Sequence, residues 1–384
     1  MWDYTPLSVD KELLRRPHNI PLLNNFYICD IAGFNKSCLA DVYLLYFPME
    51  DTPIFRPSSS TKVVEDMDEF QELLQTIPRE VSGDGWGLYY YNNFWCPERV
   101  LKSTIFFQRN FKAKDSDIIL ASIPKSGTTW LKSLSFSIIN RKKCTIPESP
   151  LLITNPHDLV RSMEYGLFLN SENPDLEAFS CPRIFSTHLP YHALPQSILN
   201  AKCRIIYICR NPLDQFISLR HFLLENSGED QQKALPIDEA FELFCKGLYP
   251  FGPVWDHAEG YWNASLNDVQ KVVFLKYEDL KIDATSHVKM LAESLGFPFS
   301  PEEVENGVVE EIVKLCSLEN LKNMEVNKNG VVVKSPTVKF KAGSYFRKGE
   351  VGDWKNFLNN SMAERYKKIM EEKLGKSGLA FELL

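Results

Sequence analysis

The chain has 384 residues, 44% of them hydrophobic and 24% charged, a globular composition with room for a sizeable core. Its formal net charge of −7 speaks against a nucleic-acid binder that relies on bulk positive charge, so any anionic ligand must be held by local basic residues. Nine cysteines without a C-x-x-C pair show neither zinc spacing nor a disulfide framework. Met1 is not followed by a basic segment and a long apolar run, so no secretory signal is expected. No apolar run approaches the roughly 18 residues of a membrane span. A reducing cytosol is the expected setting, with Cys203 and Cys209 as packed thiols in an apolar strand.

Residues 1–67 carry several prolines, the run Ser58-Ser59-Ser60 and no clear period; Val42 to Phe47 is apolar but short. They form an atypical extension, either disordered or a gene-model artefact. From Asp68 the pattern firms into a helix ended by Pro78, then an aromatic-rich loop from Trp86 to Trp95, then a helix from Pro97 to Phe111. Asp117 to Ile123 reads as a buried strand and Trp130 to Asn140 as a helix. Further strands are expected at Arg183 to Thr187, Cys203 to Cys209 and Val272 to Leu275. Helices are expected at Pro212 to Asn226, Ile237 to Lys246, Val254 to Ser265 and Thr285 to Leu295. Ser300-Pro301-Glu302-Glu303 has the N-cap, first-turn proline and acid of a helix start, and Ser361 with Glu364 suggests a second capping box. Asn323 to Ala342 is polar and weakly patterned and reads as a mobile loop. Strands alternating with helices imply right-handed βαβ units. The expected fold is a single α/β domain over residues 68–384, with a central, mainly parallel sheet flanked by helices.

The joint between the first of these strands and its helix is Ser122-Ile123-Pro124-Lys125-Ser126-Gly127-Thr128-Thr129-Trp130. Strand, tight turn and helix bring backbone N–H groups and a helix N-terminus together on an anion. Lys125 adds positive charge, Thr128 and Thr129 add hydroxyl donors, and Gly127 lets the backbone approach closely. The lysine precedes the glycine, so this is not a Walker A loop, which counts against a P-loop kinase or NTPase. Arg210, at another strand end just before Pro212, is placed for a bidentate phosphate pair, or for a helix-end salt bridge with Asp214; Ser218 follows two turns later. Arg347-Lys348-Gly349 makes a compact phosphate clamp or a solvated turn. His188, in Ser186-Thr187-His188-Leu189-Pro190, is either a proton acceptor for a hydroxyl or a structural histidine. His188 and His192 share H-x-x-x-H spacing, but Pro190 prevents the regular helix that would align them on a metal. Ligands on such sheets bind beyond the carboxyl ends of the strands, where Lys125, His188 and Arg210 all fall. Three basic sites together suggest a nucleotide with phosphates at two separate positions.

These blocks resemble the cytosolic sulfotransferases in order and spacing, and the wording of Phe106 to Trp130, Cys316 to Asn327 and Arg347 to Asn356 is similar to the plant branch. The resemblance runs from about Asp68 to the C-terminus. It implies 3′-phosphoadenosine 5′-phosphosulfate as sulfuryl donor, no metal, a small hydroxylated metabolite as acceptor, a cytoplasmic location, no nucleic-acid or membrane partner, and a monomer or weak homodimer. It implies that Lys125, Ser126, Gly127, Thr128 and Thr129 bind the 5′-phosphate and that Trp130 stacks on adenine. It assigns the 3′-phosphate to Arg210 and Ser218, helped by Arg347, Lys348 and Gly349, and a further nucleotide contact to Tyr277. His188 is the implied general base, Lys125 the group that meets charge on the leaving oxygen, and Phe222 an acceptor-pocket residue. The acceptor is expected among flavonoids, hydroxyjasmonates and steroid-like compounds. The competing reading is a catalytically inactive nucleotide-binding homologue. Three departures stand out. Residues 1–67 have little counterpart, and Met49 is positioned as a natural start, which makes residues 1–48 dispensable. Leu318 replaces an aromatic that packs on adenine. Asn359 and Asn360 stand where the K-x-x-x-T-V-x-x-x-E dimer motif has Thr-Val, so that dimer is not expected.

Overall fold

The computed structural model describes residues 69–227, 234–336 and 338–383. The expectations for residues 1–67, including Val42 to Phe47 and the role of Met49, lie outside these residues.

Four parallel strands form the centre: β4 (Ile118–Ala121), β5 (Ile184–Thr187), β6 (Arg204–Cys209) and β7 (Val272–Lys276), in the order β5-β4-β6-β7. Ala121 lies opposite both Thr187 and Tyr207, and Cys209 opposite Lys276. The register therefore brings the four carboxyl ends to one edge. β4 and β5 are buried along their whole length, which is why they read as continuous apolar runs without alternation. The expected strands and helices are present with ends shifted by one to two residues.

Helices flank this sheet. α1 (Glu98–Asn110) sets Phe107 against Phe111 and Phe168. α2 (Thr128–Asn140) leaves β4 through the Lys125 turn; Leu131, Leu134 and Ile138 are fully buried, as suits a helix covered on all sides. α3 (Pro212–Asn226) starts with Pro212 at its first position and Asn211 as N-cap, whose side chain accepts from Leu213 N. α4 (Val254–Asn267) and α5 (Ala284–Leu295) follow, and α5 packs against α2. The capping box at Ser300 and Glu303 forms as expected.

Three expectations need correction. The aromatic stretch from Trp86 to Trp95 is not a loop. It is most of a three-stranded antiparallel sheet, β1 (Arg79–Val81), β2 (Gly87–Tyr91) and β3 (Phe94–Pro97). Asn92 and Asn93 make its turn, with φ of 49° and 62°, the geometry a two-residue hairpin demands. The segment from Asn323 to Ala342 holds a short helix, Glu325–Lys328, and a hairpin of β8 (Val331–Val333) and β9 (Lys339–Lys341). Only Val332 and Phe340 of its strands are buried, too few to produce an alternating pattern. Finally, α6 (Asn360–Leu374) is capped by Asn359, which accepts from Met362 N. Ser361 lies one residue inside the helix and donates to Asn359 Oδ1 instead of capping. No helix among the described residues is long and apolar enough to cross a membrane.

Candidate active site

The carboxyl edge of the sheet opens into a cavity of about 260 Å³. All four central strands deliver a residue to it: Lys125 and Thr129 after β4, His188 after β5, Arg210 after β6 and Tyr277 after β7. Ser218 and Phe222 line it from α3, and Arg347 and Gly349 from the C-terminal segment.

The loop after β4 is tightly specified. Lys125 (φ 68°) and Gly127 (φ 104°) both occupy the left-handed region. For lysine that conformation costs on the order of 1 kcal/mol, and such strain collects at functional sites. A Cβ on Gly127 would sit 2.8 Å from the Tyr277 ring, so only glycine fits. Gln215 braces the loop by donating to Pro124 O at 3.0 Å. The Thr128 and Ser122 hydroxyls share a 2.6 Å hydrogen bond.

Positive charge converges here. Lys125 Nζ donates to Ser344 O at 3.3 Å and lies 4.4 Å from the Phe222 ring. Burial, and then the charges of Arg210 and Arg347, push the Lys125 ammonium down to about 7; Glu225 alone opposes them. Three buried polar atoms of cavity-lining residues, Trp130 Nε1, Arg210 Nε and Arg347 Nε, have no hydrogen-bond partner among the described residues, and neither has Ser126 Oγ within the loop. A Cβ on Gly349 would lie 2.6 Å from Leu318 Cδ2, so the backbone there approaches its neighbours as a ligand cradle does. Mutually repelling cations, spare donors and two glycine contacts fit an anionic nucleotide.

Arg210 is 6% exposed and lies over the Tyr277 ring, 4.6 Å from its centroid. It donates to Glu350 O. The alternative pairing with Asp214 is present but loose, at 3.6 Å. The Asp214 carboxylate spends its hydrogen bonds on Gly352 N and Trp354 N, at 2.8 and 2.9 Å. That carboxylate therefore fixes the C-terminal loop against α3 more than it neutralises Arg210. Arg347 and Lys348 both pair with the buried Asp353, at 2.6 and 2.7 Å. Arg347 lines the cavity; Lys348 and Ser126 do not. Tyr277 donates to Gly349 O at 2.9 Å, tying the β7 end to the same loop.

His188 Nδ1 lies 2.6 Å from Ser122 O. A carbonyl only accepts, so Nδ1 carries the proton and Nε2 carries the lone pair. Burial pushes the imidazolium down to about 4, so the ring is neutral at pH 7. Its backbone is held as well: His188 N donates to the buried Glu164 carboxylate at 2.8 Å, and His188 O accepts from His257 Nε2 at 3.0 Å. Tyr207 closes the chain on His257 Nδ1 at 3.0 Å. His192 turns away and bonds Asn92 O, and no metal-binding cluster occurs among the described residues.

Phe222 packs with Phe340 and Tyr345, at centroid distances of 5.2 and 5.1 Å, and forms an apolar wall beside Lys125. Of the aromatic stretch on β2 and β3 and just before them, Trp86 alone lines the cavity; Tyr89 and Phe94 are core. Several cavity residues escape sequence reasoning: Lys132, His157, Lys334 and Tyr345. They come from a helix interior, a short helix, a hairpin loop and a single turn, and no spacing rule connects them.

The model of the Sulfotransferase domain family matches residues 115–378. Cytosolic sulfotransferase 15 of Arabidopsis thaliana is 44% identical over 322 residues, covering 82% of this chain and 88% of that relative. A solved Arabidopsis thaliana structure, provisionally named a steroid sulphotransferase, superposes with a TM-score of 0.64 at 35% identity, covering 86% of this chain and all of that one. The crystal structure of mouse sulfotransferase SULT7A1 complexed with PAP gives 0.56 at 26% identity, over 76% of this chain and 96% of that one. A match of that extent, on this sheet and around this loop, makes the chain a member of the sulfotransferase family and an enzyme of that kind.

Proposed function

We propose that the enzyme moves a sulfuryl group from 3′-phosphoadenosine 5′-phosphosulfate to a hydroxyl of a small metabolite, flavonoid, hydroxyjasmonate or steroid-like, with His188 as general base. The observation that carries this reading is the His188 tautomer: Nδ1–H is committed to Ser122 O, the first residue after the strand that carries the Lys125 loop. Nε2 is the atom left to take a proton. In the transfer the bond from sulfur to the phosphate oxygen breaks while a bond to the acceptor oxygen forms. The acceptor proton passes to His188 Nε2. Lys125 meets the charge growing on the phosphate oxygen. The scheme uses no metal.

The 5′-phosphate is assigned to Lys125, Ser126, Gly127, Thr128 and Thr129, and adenine to Trp130, whose ring meets Tyr277 edge-on at 5.6 Å. Arg210, Ser218, Arg347 and Gly349 take the 3′-phosphate, and Lys348 shares Asp353 with Arg347. The PAP in the mouse relative supports this class of donor. Phe222 and its aromatic neighbours suit a flat, apolar acceptor. The likeness to cytosolic sulfotransferase 15 of Arabidopsis thaliana supports a cytosolic location. We place the catalytic domain at residues 68–384.

Labelled donor and a panel of hydroxylated metabolites test the reading, beside titration with 3′,5′-bisphosphoadenosine. Transfer to at least one acceptor, lost in His188→Ala, is the expected result. Nucleotide binding with no transfer to any acceptor would mark the chain as a catalytically inactive homologue.

A further inference from the structure

Behind the Lys125 loop lies a set of polar groups that the reaction above does not use. Lys132 sits one turn into α2 and is 1% exposed. Its Nζ donates to Val160 O at 2.8 Å and lies 3.2 Å from His157 Nδ1. The other ring nitrogen, His157 Nε2, lies 2.9 Å from Thr129 Oγ1. The His157 ring is pinned in place. It lies tilted against the Tyr345 ring with centroids 3.9 Å apart, while the His157 backbone N–H donates to Asn155 Oδ1 and the backbone carbonyl accepts from Lys334 Nζ.

The proton inventory gives this chain a direction. A Lys132 ammonium only donates, so in its charged form the His157 Nδ1 that faces it is the acceptor nitrogen. The neutral ring then carries its hydrogen on Nε2 and donates it to Thr129 Oγ1. A hydroxyl oxygen that accepts there has its own hydrogen free to point elsewhere. Thr129 lines the cavity, and its hydroxyl has no second partner among the described residues. We infer that Lys132, acting through His157, is a positioning residue that presents the Thr129 hydroxyl as a donor to an anionic group in the loop. Without Lys132 the imidazole is free to take the other tautomer, and Thr129 then donates to His157 and turns a lone pair toward the anion. Burial, and then the charge of Lys334, hold the Lys132 ammonium well below its ordinary value, while Glu164 and Asp158 favour the charged form. An anion at the end of the chain favours the same form. The inference rests on the reading of the Lys125 loop as the phosphate site.

A double-mutant cycle on the full chain tests it, with 3′,5′-bisphosphoadenosine as probe and calorimetry as readout. Thr129→Val removes the hydroxyl at constant shape, and Lys132→Met removes the charge. Each is expected to weaken binding about tenfold, the order of a hydrogen bond to a charged group. The double variant is expected to bind no more weakly than either single one, because both act through one hydroxyl. If Lys132→Met keeps its full effect in the Thr129→Val background, or has none where Thr129→Val does, the relay is wrong and the phosphate loop stands. If Thr129→Val itself changes nothing, the phosphate reading of Thr129 fails, and the relay with it. Should a melting curve show that Lys132→Met does not fold, His157→Phe replaces it in the same cycle.

Discussion

His188 reaches back across the sheet to Ser122, its Nδ1 2.6 Å from the carbonyl oxygen of the residue that opens the Lys125 loop. β4 and β5 are parallel neighbours, with Ala121 opposite Thr187, so His188 and the loop start one residue beyond paired positions. The distance between the proposed proton acceptor and the proposed phosphate cradle is therefore set by a backbone ladder and not by flexible loops. His188→Ala is expected to lower turnover by about 10²–10⁴-fold, the usual range for a general base. Affinity for 3′,5′-bisphosphoadenosine should stay within about twofold, because the proposed nucleotide contacts lie on other residues. A rate assay and a calorimetric titration on the same preparation check both halves, and near-normal turnover would sink the assignment.

Burial holds the His188 imidazolium down to about 4, against an ordinary value of 6.5. The pH profile of kcat/KM should then be level from neutral pH to about 5 and fall only near 4. An exposed histidine base would already lose about tenfold one unit below its pKa. The same shift bears on stability. The folded pKa lies below the unfolded one, so the contribution of His188 is fully present above about 6.5 and is lost as pH falls from there through about 4. Melting temperature against pH should show this loss, and His188→Ala should reduce it.

Lys125 in the free protein is held at about 7 by burial and by Arg210 and Arg347. An anionic nucleotide favours the charged form, so binding raises that value. Affinity should be level below about pH 7 and weaken as pH rises above it, by up to tenfold per unit. Calorimetry in buffers of different ionisation enthalpy should register proton uptake at pH 8. Lys125→Ala should bind more weakly, turn over more slowly and take up less than the wild type. Unchanged uptake would place the titration on another group.

Arg210→Ala is expected to weaken binding of 3′,5′-bisphosphoadenosine by tenfold or more, the scale of a charge-assisted pair. Adenosine 5′-phosphosulfate lacks the 3′-phosphate, so the variant should discriminate less between the two donors. Arg210 also donates to Glu350 O and covers the Tyr277 ring, so a melting curve is needed beside the affinities. Unchanged discrimination would make Arg210 structural.

What the sequence made legible follows from how each residue is encoded. Lys125, His188 and Arg210 each sit at the end of an apolar run, and α/β topology sends such ends to one edge. Ser218 is one residue short of two turns beyond Pro212, so a helix read from its capping signals carries it to the same place. The β2–β3 hairpin was hidden because Tyr89, Tyr90, Tyr91, Phe94 and Trp95 form an almost unbroken aromatic run, in which alternation does not show. The Lys132, His157 and Thr129 chain was hidden for another reason. Thr129 and Lys132 are three apart on one helix, but His157 arrives from a separate element, and a buried lysine on an apolar helix looks like a solvated one until burial is known.

Leu318 offers the most discriminating test of the adenine side. It opens the helix Leu318–Asn323, lines the cavity and is only partly buried. That speaks against the alternative in which it points into the core and a larger ring overpacks it. Gly349 lies close against it, since a Cβ there would be 2.6 Å from Leu318 Cδ2, so a bigger side chain must turn toward the cavity. With adenine on Trp130 as proposed, a ring at that position adds face contact on the other side of the purine, worth about 0.5–1.5 kcal/mol beyond the area it buries. Leu318→Phe should therefore tighten 3′,5′-bisphosphoadenosine binding by about threefold to tenfold, with melting temperature and acceptor preference unchanged. Calorimetric titration and a melting curve on the same variant separate the outcomes. Unchanged or weaker binding with a lower melting temperature would mean that the ring collides with the Gly349 backbone and that Leu318 is there for its shape.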